Sequence, residues 1–154
     1  MLLGEHPIII EIAEVRSLER LHQMNPENTE KLLTTYPLLY RELRDWGFEC
    51  GDGWFNLVWQ VSGEIESAAH LEGIPKTQDA WPSVRILKQK FGTLRVQFDK
   101  GVSEHIKVLI TKAYERSMET CELCGAPAKL DREREFGKWV ETLCESCRNN
   151  RTNG

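Results

Sequence analysis

The apolar positions of this chain recur first with a helical period. Ile9, Ile12, Ala13, Val15, Leu18 and Leu21 would share one broad face of a helix over residues 8–23. Asn25-Pro26-Glu27 then supplies an N-cap side chain, a proline suited to the first turn and an early acid, which predicts a second helix through Leu32 and Leu33. It should stop near Tyr36, because a residue before proline avoids helical geometry. Pro37 opens a third short helix through Leu38, Leu39, Leu43 and Trp46, closed by Gly47. Residues 1–47 thus read as a helical N-terminal segment.

Residues 48–120 change character. Phe48-Glu49-Cys50-Gly51-Asp52-Gly53 is a turn-rich connection. From Trp54 to Leu71 the helical period returns through Leu57, Val58, Val61, Ile65 and Ala68. Phe55 and Trp59 form a second stripe, so the first half of this helix is apolar on two sides; it is either deeply buried or packed against a partner, and burial is favoured. After a loop over residues 72–83, Val84 to Asp99 reads as two strands around Gly92, with Leu94, Val96 and Phe98 alternating with Arg95, Gln97 and Asp99. That alternation leaves Arg85, Lys88, Lys90, Arg95 and Lys100 on or near a wet face. A helix over residues 103–119 follows, carrying Ile106, Leu109, Ile110 and Ala113. The expected class is α+β: a helical front, a core with a basic hairpin and packed helices, and a C-terminal module over residues 121–154.

Composition narrows the function classes. The 154 residues include five Trp and five Phe and no long polar tract, which excludes a disordered chain. Apolar runs stop at three residues, such as Ile8–Ile10, against the roughly 20 that a membrane-spanning helix requires. The start of the chain lacks a basic, apolar leader, so a cytoplasmic location is expected. Charge is polarised: residues 1–83 carry 14 acids against 6 bases, residues 84–120 carry 8 bases against 4 acids, and residues 121–154 balance at six each. A phosphate-binding face could come only from the hairpin segment, whereas the acidic front would suit a basic protein surface or simply be solvated.

Cys121-Glu122-Leu123-Cys124 and Cys144-Glu145-Ser146-Cys147 are two CxxC pairs separated by nineteen residues. Two thiolates three apart grip one edge of a tetrahedron, and the second pair supplies the opposite edge. Spacing of this kind predicts one structural Zn2+ held by Cys121, Cys124, Cys144 and Cys147, although four thiolates also suit iron. With four protein ligands no coordination position is open to substrate. The intervening residues read as two short strands, over 128–130 and 138–143, with a charged tip at 131–135: a zinc ribbon dependent on metal for its folding.

The other reactive residues form no catalytic set. His6, His22, His70 and His105 make no ligand motif, and no histidine follows His105, where a CxxC-stapled nuclease would need one. Cys50, with Asp52 or His70 as neighbour, is the remaining nucleophile candidate and reads better as a buried thiol. The chain is therefore expected not to be an enzyme. Arg85, Lys88, Lys90 and Arg95, with Lys138 and Trp139 of the ribbon, form the candidate nucleic-acid surface; Phe55 and Trp59, with the acidic front, form the candidate protein surface.

Four segments occur in order: Cys50-Gly51-Asp52-Gly53-Trp54, Lys88-Gln89-Lys90-Phe91-Gly92-Thr93-Leu94-Arg95, Cys121-Glu122-Leu123-Cys124-Gly125 and Thr142-Leu143-Cys144-Glu145-Ser146-Cys147. Over residues 46–148 this set resembles a family of small uncharacterised proteins common in phages, prophages and bacterial genomes. The resemblance implies a metal site and a genomic setting, and no reaction. In that setting a small protein acts by occupying a surface, such as that of a host or defence factor in the bacterial cytoplasm. The expectation is a non-enzymatic zinc-ribbon protein that docks on a protein as inhibitor or regulator; the alternative is a nucleic-acid-binding regulator using the basic hairpin and ribbon.

Overall fold

The computed structural model describes residues 22–131 and 140–152. The helix expected over residues 8–23 lies almost wholly outside the described residues. The fold is α+β: among the described residues there are four α-helices, a two-stranded antiparallel hairpin and a short second strand pair.

Helix α1 (Pro26–Thr35) starts where the sequence places it: the Asn25 side chain accepts from the Asn28 N–H at 2.8 Å, capping one of the orphan donors of the first turn. The helix expected over Pro37–Trp46 is instead a succession of turns. Two of its carbonyls are drawn off by partners outside a helical ladder. The Leu38 oxygen accepts from the Arg41 guanidinium at 2.6 Å, and the Leu39 oxygen accepts from the Val84 N–H at 2.8 Å. An apolar period alone could not reveal that competition. The same segment still delivers Leu39, Tyr40 and Leu43 to the core, and Gly47 terminates it at φ +70°.

A single 3-10 turn (Asp52–Trp54) leads into α2 (Phe55–Leu71), whose Leu57, Val58, Val61, Ile65 and Ala68 are buried. Strands β1 (Val84–Lys90) and β2 (Thr93–Phe98) pair antiparallel, with Lys88 opposite Arg95 and Lys90 opposite Thr93. Their turn is Phe91-Gly92, both at positive φ, as a two-residue hairpin turn requires. Glu49 adds a single bridge on the free edge of β1: its N–H donates to the Leu87 oxygen and its own oxygen accepts from Gln89. Helix α3 (Glu104–Ser117), capped by Ser103, packs on α2 and β2 through Ile106 and Ala113. The core is thus built by Leu32 of α1, α2, α3, one face of the hairpin and the turns of residues 37–48. The loop after α2 ends firmly, since Trp81, Pro82 and Ser83 are buried and Arg41 donates to the Trp81 oxygen at 3.0 Å.

The C-terminal module contains β3 (Lys129–Leu130), antiparallel to β4 (Thr142–Leu143), and α4 (Glu145–Thr152). Most of the expected charged tip lies outside the described residues. Among the described residues no helix is long and apolar enough to cross a membrane.

Candidate metal centre

The first knuckle is a tight turn. The Gly125 N–H donates to the Cys121 oxygen at 2.9 Å and the Cys121 N–H to the Ala126 oxygen at 2.7 Å; Gly125 stands at φ +80°, where a side chain would be strained. The second pair sits at the start of α4, and the Cys147 N–H points at the Cys144 sulfur from 3.4 Å. This hydrogen bond pulls the Cys144 thiol down to about 7, while burial pushes the Cys147 thiol up.

The four sulfurs converge, 3.6–3.8 Å apart. Four ligands at about 2.3 Å around a tetrahedral ion stand about 3.8 Å from each other. The donor set therefore fits one metal ion, with two thiolates from each knuckle. Cys121 is buried and Cys124 exposed, so the ion would lie at the edge of the molecule rather than within its core. The Arg148 guanidinium, one residue beyond Cys147, pairs with Asp131 at 3.1 Å and ties α4 to the end of β3.

The module is laced into the rest of the chain. Gly53 donates its N–H to the Glu122 oxygen at 2.7 Å, Gly51 donates to Glu122 Oε1 at 3.0 Å, and Trp54 Nε1 donates to the Thr120 oxygen at 2.8 Å. Approach is so close at Gly53 that a Cβ would lie 2.2 Å from the Cys121 oxygen. On the other side Thr142 Oγ1 donates to the Gly92 oxygen at 2.7 Å, and Gln89 Nε2 donates to the Val140 oxygen at 3.2 Å. The Glu122 N–H donates to the Thr142 oxygen, joining both halves of the module. The segments Cys50–Trp54, Lys88–Arg95, Cys121–Gly125 and Thr142–Cys147 thus meet around one knuckle. Sequence reasoning paired the cysteines but missed this seam, because contacts between residue 53 and residue 121 leave no local period.

Cys50 is fully buried, and burial pushes its thiol well up, with the Glu122 and Asp52 carboxylates adding to the shift. This is the opposite of an activated nucleophile. Asp52 Oδ1 accepts from the Asn25 N–H at 2.8 Å and from Asn28 at 3.2 Å, anchoring α1; His70 is exposed.

The candidate surfaces come out divided. Lys88 and Arg95 are cross-strand neighbours, and Arg85, Lys90 and Arg95 are exposed. Arg95, however, stacks its guanidinium 5.3 Å over Tyr114 and donates to Thr93, while Arg85 and Lys88 share a groove of about 370 Å³ with Glu42, Glu49 and Trp46. Lys138 and Trp139 lie outside the described residues. Phe55 and Trp59 sit 5.7 Å apart, and Tyr36 closes the cluster 5.4 Å from Trp59. Favoured burial of that stripe is met only by Phe55, which packs partly on the core; Trp59 is 36% exposed. Trp46, at 73% exposure, is an aromatic that the sequence placed on a helix and the structure turns outward.

The structure also joins residues that the sequence left scattered: His22, Glu122 and Glu141 bring their ligand atoms within 4.8 Å of one another. Comparison with protein-family models, with curated proteins and with solved structures finds no match for this chain.

Proposed function

We propose that this chain is a non-enzymatic binding protein, stapled by one structural Zn2+ on Cys121, Cys124, Cys144 and Cys147, that acts by docking on another protein. Zinc is the reading favoured by a closed tetrahedral four-thiolate set. The observation that carries docking is Trp46, which stands exposed at the lip of a groove whose walls offer Glu42 and Glu49 beside Arg85 and Lys88. Tryptophan is among the residues that dominate binding energy at protein interfaces, and mixed charges suit a protein better than a uniform phosphate backbone. The resemblance to phage and prophage proteins supports a host or defence factor in the bacterial cytoplasm as the partner. Pull-down from host lysate with the full chain and with Trp46→Ala tests this: a partner retained by the former and lost by the latter is expected. A partner set that ignores Trp46→Ala and Trp59→Ala alike would contradict it.

One observation favours the alternative of nucleic-acid binding. Phe91 holds φ +52°, strained for a bulky residue, and exposes its ring beside Lys90 at the hairpin tip, as a base-stacking residue would. Binding of this kind must weaken steeply between 50 and 200 mM salt, by on the order of tenfold or more for even a few phosphate contacts. Affinity that is flat across that range removes the alternative.

A further inference from the structure

The four sulfurs of the metal centre do not share one environment. Cys121 is buried and its backbone is fixed: its N–H donates to the Ala126 oxygen, its oxygen accepts from Gly125, and Gly53 packs against it. Cys147 lies within α4. Cys124 is the exposed member of the set, and Cys144, half-buried, stands ahead of α4. Their sulfurs face each other across the two knuckles, 3.6 Å apart. A disulfide needs about 2.05 Å between sulfurs, so a closure of roughly 1.5 Å, within the reach of side-chain rotation, would join them. An exposed thiolate with a second sulfur beside it is what oxidation by a peroxide requires: the first sulfur is reached from solvent and the second resolves the product. Metal coordination keeps both groups as thiolates, so this inference rests on the four-thiolate centre proposed above.

We propose that Cys124 and Cys144 are an oxidation site, at which hydrogen peroxide joins the two knuckles through a disulfide and opens the metal centre. The Cys124 thiolate attacks one peroxide oxygen: an S–O bond forms, the O–O bond breaks and hydroxide leaves, giving a sulfenic acid. The Cys144 thiolate then attacks that sulfur: the S–S bond forms, the S–O bond breaks and a second hydroxide leaves. Two electrons pass from the pair of sulfurs to the peroxide. Only Cys121 and Cys147 then remain as thiolates, too few for a closed four-sulfur shell. Cys50, fully buried in the core, is shielded from the reagent. Because the first knuckle is bonded to Gly51, Gly53 and Trp54, opening the shell loosens the module from the core as well.

Hydrogen peroxide titration of the zinc-loaded full chain tests the proposal, with a chromogenic chelator reading released zinc and peptide mass mapping reading the sulfurs. One zinc released per peroxide consumed is expected, with a disulfide between Cys124 and Cys144, a reduced Cys50, and zinc binding restored by a dithiol. Zinc retained under excess peroxide, with the cysteines unmodified, would overturn the oxidation site. So would release in which the disulfides found lie within each CxxC pair, or in which single cysteines reach the sulfonic acid with no disulfide between the knuckles. A chain that takes up no zinc yet forms the disulfide between Cys124 and Cys144 would overturn the zinc staple and uphold the oxidation site; one that does neither overturns both.

Discussion

At the scale of single residues, the tightest glycine among the described residues is Gly53. A Cβ there would lie 2.2 Å from the Cys121 oxygen and 2.6 Å from the Glu122 carbonyl, both backbone atoms that cannot swing aside. Gly53→Ala should therefore pry the knuckle off the core and cost about 3 kcal/mol, at the upper end of ordinary overpacking. Gly73 is the control: it too has positive φ, +70°, but nothing lies within 4 Å of its would-be Cβ, so Gly73→Ala should cost only about 1 kcal/mol of backbone strain. Denaturant midpoints for both variants check the difference, and equal losses would show that the seam at Gly53 carries no special load. The CxxC spacing announced the four ligands without any structure. Nothing in CELC announced that Glu122 is fully buried, because its partners Gly51 and His22 are 71 and 100 residues distant.

Among the elements, the hairpin shows how a local conflict is tolerated. Phe91 takes a left-handed conformation in a turn that favours Asn-Gly, and its ring is 65% exposed, so little packing offsets the strain. Phe91→Asn should raise stability by about 1 kcal/mol. A thermal unfolding midpoint that fell would show that the ring packs in a way its exposure conceals. If the same variant also loses nucleic acid or a partner, the strain is kept for binding. Helix α2, α3 and the hairpin were legible because each carries a sustained apolar period and is bounded by a cap or turn residue: Gly73 after α2, Ser103 before α3, and Gly92 in the hairpin. The stretch over residues 37–46 was not. Its apolar spacing is helical, but the Leu38 oxygen accepts from the local Arg41 side chain and the Leu39 oxygen from the distant Val84 N–H, and these bonds displace part of the helical ladder.

In the whole molecule, the C-terminal module and the core share hydrogen bonds at Gly51, Gly53, Trp54, Gln89 and Gly92. Metal binding and the stability of the α2–hairpin core should therefore be coupled, beyond the on the order of 10 kcal/mol that a structural zinc supplies to its own knuckles. Chelation should lower the unfolding temperature of the entire chain in a single transition; a chelated protein that keeps its core transition unchanged would mean the seam transmits nothing. The most direct test of the metal centre itself is cobalt titration of the metal-free full chain, followed by absorbance. Thiolate-to-cobalt bands that grow linearly and saturate at one cobalt per four cysteines, and are lost in Cys144→Ser, are the predicted result. Titration that yields no such bands would contradict the four-cysteine centre on which the proposed function stands.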